Sequence, residues 1–174
     1  MGRFSNEKNQ QVLINAVAKC KMKDDVKIYF AGSGPKEKKL RRLAERKGVD
    51  CDFNFYSRAE LLTVLHGADL YVHTALIEIE AISCMEAIVR GLVPVICNSE
   101  RSATRRSAVD ERWLFEERDS DDLAKKIEYF YDHPEQIEAY KEKYVSFRNR
   151  CRQEDCMQKM EQMLTDTMEL RKRA

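Results

Sequence analysis

The feature that most constrains this chain is its regular alternation of short β-branched or aromatic runs with amphipathic segments of helical length, nearly every boundary marked by glycine or proline. Residues 26–31 form a β-rich run closed by Gly32-Ser33-Gly34-Pro35, and Pro35 suits the first turn of a helix that stops before Gly48. Residues 51–55 read as a second strand, and Ser57-Arg58-Ala59-Glu60 is a capping box opening a helix that ends at Gly67. Residues 70–73 are expected as a third strand, 80–90 as a helix closed by Gly91, and 93–97 as a fourth strand, with Pro94 hinting at a strand end. The polar stretch from Asn98 to Arg112 is expected to be irregular and 113–115 a brief strand. Helices follow at 120–131, from Pro134 and from about Glu154. Strands separated by helices of this length build parallel βαβ units with right-handed crossovers, so the expected fold class is α/β, a Rossmann-like parallel sheet with helices on both faces. One irregularity stands out. A helix over residues 10–20 follows the loop-like Gly2-Arg3 with no strand to feed it, so the sequence reads as cut short at its front edge.

Composition narrows the function classes. At 174 residues one domain is the default. Lys and Arg total 31 against 30 Asp and Glu, a net +1, which removes the long-range field of a general nucleic-acid binder and leaves only local phosphate contacts. The six cysteines (Cys20, Cys51, Cys84, Cys97, Cys151 and Cys156) form no C-x-x-C pair, which reads as a reducing, cytoplasmic compartment. The first residues lack the apolar stretch of a signal peptide, and no run of about 18 apolar residues is present.

Open parallel sheets bind ligands beyond the carboxyl ends of their strands, so the loops 32–35, 56–57, 73–79 and 98–106 should converge on one edge. Glu78 and Glu86 have seven residues between them, placing one in the strand-to-helix loop and the other about two turns along the helix. The pair reads either as acid/base carboxylates or as a helix-start charge with a solvated partner. Arg3 and Lys8 flank a loop just before a helix, an arrangement that fits either a diphosphate clamp or an ordinary charged surface. Gly32-Ser33-Gly34-Pro35 lacks the third glycine of a dinucleotide fingerprint and the Lys-Ser/Thr of a P-loop, so it is a tight turn. His73, with His66 and His133 scattered, forms no metal triad. Ser102 and Ser107 lie in no G-x-S-x-G elbow. Residues 36–47 carry seven positive and two negative charges, a solvated helix face or a contact with an acidic membrane surface. Met157, Met160, Leu164 and Met168 form a helical stripe suited to a core or a docking surface.

Taken in order, these pieces resemble the C-terminal, donor-binding half of the family-4 retaining glycosyltransferases with the GT-B fold, over nearly the whole chain. Gly2-Arg3-Phe4-Ser5-Asn6-Glu7-Lys8 looks like that family's glycine-arginine loop with its downstream Glu-Lys. Gly32-Ser33-Gly34-Pro35 looks like its turn after the second strand, and Ala68-Asp69-Leu70-Tyr71-Val72 like its fourth strand. Glu78 to Glu86, followed by Gly91-Leu92-Val93-Pro94-Val95-Ile96, is similar to its two-glutamate signature and next strand; Leu114-Phe115, Asp119 and Leu123-Ala124 fit its closing pattern. Two departures stand out: Ile79-Glu80-Ala81 replaces the usual Gly-Phe-Gly, and Ser102-Ala103-Thr104 stands where the family carries Gly-Gly. Those segments, with Asp110-Glu111-Arg112, resemble a bacterial subgroup that builds surface polysaccharide or glycolipid, including the type 1 capsular polysaccharide biosynthesis protein J.

The resemblance implies that Arg3, Lys8, Ile82 and Ser83 hold the donor diphosphate, Glu86 the ribose, and Glu78 the donor sugar as the catalytic residue. Gly32, Gly34, Tyr56, Ser57, His73, Ile79, Glu80 and Ala81 would form the pocket edge. It implies no cofactor and no metal, a nucleoside-diphosphate sugar (UDP-sugar favoured) as donor, and transfer with retention to a polysaccharide or glycolipid. Residues 1–150 would be the donor-binding domain. Residues 151–174 would be a helix docking on an N-terminal acceptor-binding domain, or a partner chain, that is not among these residues. The chain alone is expected to be inactive, cytoplasmic, and peripheral at the inner membrane face through residues 36–47. The alternative is a noncatalytic nucleotide-sugar-binding subunit.

Overall fold

The computed structural model describes residues 1–150 and 152–173; Cys151, which opens the expected C-terminal segment, and Ala174 lie outside the described residues. Among the described residues are five strands, as the sequence predicts, and eight α-helices, one more than it does (α7): α1 (Gln11–Val17), β1 (Lys27–Ala31), α2 (Glu37–Lys47), β2 (Asp50–Asn54), α3 (Arg58–Gly67), β3 (Tyr71–His73), α4 (Ile82–Val89), β4 (Pro94–Cys97), β5 (Leu114–Phe115), α5 (Ser120–Asp132), α6 (Pro134–Lys143), α7 (Val145–Arg150) and α8 (Gln153–Arg173). The fold is mixed α/β, with parallel sheets flanked by helices.

Boundaries follow local chemistry. Gly48 takes the left-handed conformation at φ 61°, so its N–H reaches back to the Glu45 carbonyl and the Val49 N–H to that of Ala44, which ends α2. The capping box forms: Ser57 Oγ accepts from the Glu60 N–H, and the Ser57 N–H donates to the Glu60 carboxylate. Asp119 caps α5 by accepting from the N–H groups of Asp121 and Asp122.

Three elements differ from expectation. Helix α1 stops at Val17, because Lys19 and Cys20 donate only three residues back, tightening its last turn. Helix α4 starts at Ile82 because Ala81 is non-helical (ψ 73°) and the Ile82 N–H bonds the Glu80 carbonyl. Trp113 closes a 3-10 turn, Glu111–Trp113, instead of opening β5, because the Asp110 carboxylate accepts from the Arg112 N–H. The stretch expected to be irregular also contains a 3-10 turn, Ala103–Ser107.

All strand pairs are parallel, but the expected single sheet is in two pieces, β2–β1 and β3–β4–β5. Every residue of β4 is buried, as befits a strand covered on both faces, whereas β1 alternates. One core block is aromatic: Phe30 stacks on Phe53 at 4.8 Å, and Phe4 meets both edge-on. Another sits beneath β5, where Trp113 stacks on Phe130 at 3.5 Å with Tyr140 edge-on. Helix α8 contributes nothing to either block; Met157, Met160, Met163, Leu164 and Met168 along it are all exposed. No helix among the described residues is long and apolar enough to cross a membrane.

Candidate functional site

Two loops meet beyond the carboxyl ends of β1 and β3. The first, residues 2–8, is laid against the turn after β1: the Gly2 N–H donates to the Ala31 carbonyl (2.8 Å) and the Phe4 N–H to that of Ser33 (2.9 Å). Contact is so close that a Cβ on Gly32 would lie 2.0 Å from the Gly2 oxygen, and one on Gly34 2.5 Å from that of Phe4. Both glycines are there to let backbone approach backbone. Arg3, Gly32, Gly34 and Tyr56 then line one cavity of about 610 Å³, with Phe55. Arg3 is exposed, and no carboxylate among the described residues pairs with it. Burial first, then the bond its hydroxyl donates to Asp52, pushes the pKa of Tyr56 up.

Farther along the first loop, the chain is tied to the segment after β3. Thr74 Oγ1 donates to the Lys8 carbonyl (2.6 Å) and the Leu76 N–H to that of Glu7 (2.7 Å). Asn9, at φ 50°, then turns the chain into α1, a conformation asparagine tolerates. The result is a charged centre in which the Lys8 ammonium is bonded to the half-buried Glu78 carboxylate. The Glu78 backbone is clamped on the other side, its N–H donating to the Arg101 carbonyl and its carbonyl accepting from Ala103.

His73 lies 4.0 Å from the same carboxylate and is buried. Burial first, then the α-ammonium of Met1 and Lys8, push its pKa down to about 3. The imidazole is therefore neutral near pH 7, and its proximity to Glu78 is not an ion pair. Tyr71 hydroxyl and Thr104 Oγ1 approach its two nitrogens at 3.3 and 3.4 Å, and Tyr71 donates on to Ser83 Oγ at 3.1 Å. A chain of neutral polar groups thus runs from β3 to the first turn of α4. No side chain caps that helix and no acidic residue occupies its first turn; the Ile82 N–H is taken by the Glu80 carbonyl and the Cys84 N–H by that of Ala81, which leaves the Ser83 N–H as the first-turn donor turned to the edge.

The structure brings Lys8, His73, Glu78 and Ser83 together, and Arg3, Gly32, Gly34 and Tyr56 around the neighbouring cavity. Glu86 lies about one turn into α4, not two, because the helix starts late. Its carboxylate is 3.5 Å from Arg58, and it shares the helix face of Ile82, four residues earlier. Ser57 is engaged as the α3 cap. Ile79 (91% exposed) and Glu80 point to solvent, whereas Ala81 is buried. The polar residues that anchor this edge are buried: Thr74 bonds the Lys8 carbonyl, Thr104 approaches His73, and Ser99 Oγ donates to the Leu76 carbonyl at 2.6 Å. Sequence reasoning missed them as site residues because isolated hydroxyls in a loop carry no spacing. Cys84, on the buried face of α4, has its thiol pushed up to about 12 by burial, which removes it as a nucleophile. No three metal-ligating side chains come together among the described residues. Two cations and the Ser83 amide at an uncapped helix start are chemistry that suits a multiply charged anion.

Residues 1–153 match the family described as Glycosyl transferases group 1. The chain is 47% identical to the catalytic domain of cholesterol-alpha-glucosyltransferase from Helicobacter pylori, over 86% of this chain and 94% of that one, with a TM-score of 0.83. It is also similar to the C-terminal domain of the group 1 glycosyl transferase LpcC from Francisella tularensis (17% identity, 87% and 85% covered, TM-score 0.73). A third likeness is to HepE from Anabaena in complex with UDP (19% identity, 95% of this chain but 48% of that one, TM-score 0.70). No curated protein matches the chain in sequence.

Proposed function

The chain belongs to the group 1 glycosyl transferases, with a GT-B glycosyltransferase domain fold, and from that premise we propose that it binds a nucleotide-sugar donor, UDP-glucose first among them, for retaining α-glucosyl transfer to a lipid hydroxyl. The observation that carries the proposal is the Lys8–Glu78 pair held at the carboxyl edge beside the neutral His73 and the uncapped start of α4. Identity of 47% to a cholesterol-alpha-glucosyltransferase domain supports glucose and a sterol-like glycolipid product over capsular polysaccharide, and the UDP held by the Anabaena protein supports the base.

In this reading the donor diphosphate takes Glu78's place at Lys8, with Arg3 reaching from the neighbouring cavity and the amide of Ser83 as a neutral donor, joined by that of Ile82 once it gives up the Glu80 carbonyl. Glu78, released, accepts hydroxyls of the sugar. Glu86 exchanges Arg58 for the ribose hydroxyls. As the glycosidic bond to the diphosphate breaks, charge grows on the leaving oxygen, and fixed cations and amides stabilise that charge more than they stabilise the ground state. No metal takes part. His73, uncharged, orients groups without competing for the phosphate. The acceptor needs an opposite wall to hold it within reach and to exclude water, so the isolated chain binds donor without transferring it efficiently. That wall would be an acceptor-binding domain or a partner chain.

Titration calorimetry with UDP and UDP-glucose tests donor binding; no heat with either defeats the proposal. A domain of nearly this length is described as catalytic in the Helicobacter protein, so transfer is assayed on the chain alone first. Radiolabelled glucose is followed into cholesterol-containing vesicles, then again after addition of an acceptor-binding domain from a relative. Transfer only in the second case is the expected result. Efficient transfer by the chain alone defeats the need for a second wall, and UDP binding without transfer in either case defeats the acceptor assignment. Flotation with anionic vesicles reads any membrane contact of the basic α2 face.

A further inference from the structure

Tyr71 and His73 stand two residues apart on β3 and so share one face of the strand. Three contacts join them to their neighbours: Thr104 Oγ1 lies 3.4 Å from His73 Nε2, the Tyr71 hydroxyl 3.3 Å from His73 Nδ1, and Ser83 Oγ 3.1 Å from the Tyr71 hydroxyl. Thr104, His73 and Tyr71 are buried and Ser83 is half-buried, so the α4 end of this line is the one open to solvent. A neutral imidazole has one N–H and one lone pair, and each hydroxyl has one proton, so the three contacts can be filled together in only two ways. Either every proton points towards α4, from Thr104 to Nε2, from Nδ1 to Tyr71 and from Tyr71 to Ser83, or every proton points away from it. A phenol is a stronger acid than an aliphatic alcohol, which favours Tyr71 as the donor to Ser83. The Glu78 carboxylate, 4.0 Å from Nε2, is beyond hydrogen-bond reach of that nitrogen, and its charge is taken up by Lys8, so it does not hold the proton there. With every proton pointing towards α4, the Ser83 hydroxyl proton has no partner among the described residues. It sits on the residue whose backbone N–H is also unengaged at the uncapped helix start.

We propose that Thr104, His73 and Tyr71 form a one-way line of hydrogen bonds that aims the Ser83 hydroxyl proton outward, making Ser83 Oγ a donor to a phosphate oxygen of the nucleotide. Ser83 then offers two donors, its N–H and its O–H, to one anion. Tyr71 and His73 are positioning residues: they touch no ligand and act through the serine. Each bond in the line polarises the next, which strengthens the last one. The opposite sense would spend the Ser83 proton inward and turn its lone pairs on the anion. A donor whose direction is fixed before the ligand arrives needs no reorientation on binding. The identity of the ligand rests on the donor reading; the direction of the line does not.

The test has two arms. Nitrogen-15 NMR of the labelled 174-residue chain at pH 7, with the exposed His66 and His133 replaced by Gln so that His73 alone is observed, should show Nδ1 protonated and Nε2 bare. A proton on Nε2 overturns the one-way line. In UDP titration calorimetry, Tyr71→Phe and Ser83→Ala should each weaken binding about three- to tenfold, the scale of one hydrogen bond, and the double variant no more than either alone. Ser83→Thr, which keeps a hydroxyl, should retain most of the affinity. Losses that add, or affinity unchanged in Ser83→Ala, overturn the inference and leave the donor reading standing. Absence of UDP binding by the parent chain defeats the donor reading itself, and inorganic pyrophosphate then serves as the probe for the same comparison. Ser83 is only half-buried, so Ser83→Ala and the nitrogen signals decide the matter even where Tyr71→Phe fails to fold.

Discussion

Beneath β5, Trp113 stacks on Phe130, Tyr140 closes the block edge-on, and at its rim Asp110 takes the Arg112 guanidinium and the Tyr140 hydroxyl. Beyond β3 the same chain desolvates an imidazole, pairs a lysine with a carboxylate in partial burial, and leaves a helix start uncapped. The first region is arranged to hold the molecule together. The second gives up stability for charges and free donors facing outward, which is the physical mark of a binding site. Stability and ligand affinity should therefore separate when each region is perturbed.

The largest expected effect lies in the aromatic block. Trp113→Ala should lower unfolding free energy by about 3–5 kcal/mol in denaturant titration while the folded fraction keeps its affinity for UDP. A parallel loss of affinity would break the distinction between the regions. Next comes acid sensitivity at the edge. The folded His73 resists protonation until about pH 3, whereas an unfolded histidine protonates below about 6.5. The unfolded state thus binds the extra proton across that window, and stability, fully present above pH 6.5, falls with acidification by up to about 1.4 kcal/mol per pH unit. By about pH 4 the loss should approach 3 kcal/mol, and His73→Gln should flatten the profile; an unchanged slope would mean that His73 is not the titrating group.

A smaller effect sharpens the ligand side. Glu86→Ala should weaken UDP binding by about 1–3 kcal/mol in calorimetry with little change in thermal midpoint, because its Arg58 partner is exposed. Equal affinity in parent and variant would remove Glu86 from the ribose. The smallest expected effect is none: excess chelator should leave UDP affinity unchanged, since Arg3, Lys8 and helix amides supply the positive potential, and a loss of binding would require a metal ion at the edge.

Much of the fold was legible because glycine, proline and capping residues leave local marks. Gly48, Ser57 and Asp119 end or begin helices through bonds to their own neighbours, and the sequence carries all the partners. The sheet's division was not legible, because whether β1 meets β3 depends on what lies between them, and neither strand encodes it. At the edge, the placement of His73 and Glu78 was legible from a strand end and the loop after it, whereas the pairing of Lys8 with Glu78 was not. Nor was their anchoring: Thr74, Ser99 and Thr104 act across sequence separations that no periodicity records. Glu86 was placed a turn too deep because the break at Ala81 depends on a backbone angle, not on a residue type known to break helices.

Phe4 has a consequence that reaches beyond packing. It is buried between Phe30 and Phe53, its N–H is bonded to Ser33, and Gly2 is bonded to Ala31, so Arg3 stands between two fixed residues with its own side chain in solvent. Ordering the backbone of a free loop costs about 1–2 kcal/mol per residue, and that loss of conformational entropy ordinarily falls on the ligand that captures the loop. Here folding has already absorbed it. On the proposed donor reading, an anion reaching the cavity would have only the Arg3 side chain left to immobilise, and a phenylalanine outside the ligand's reach would set part of the affinity.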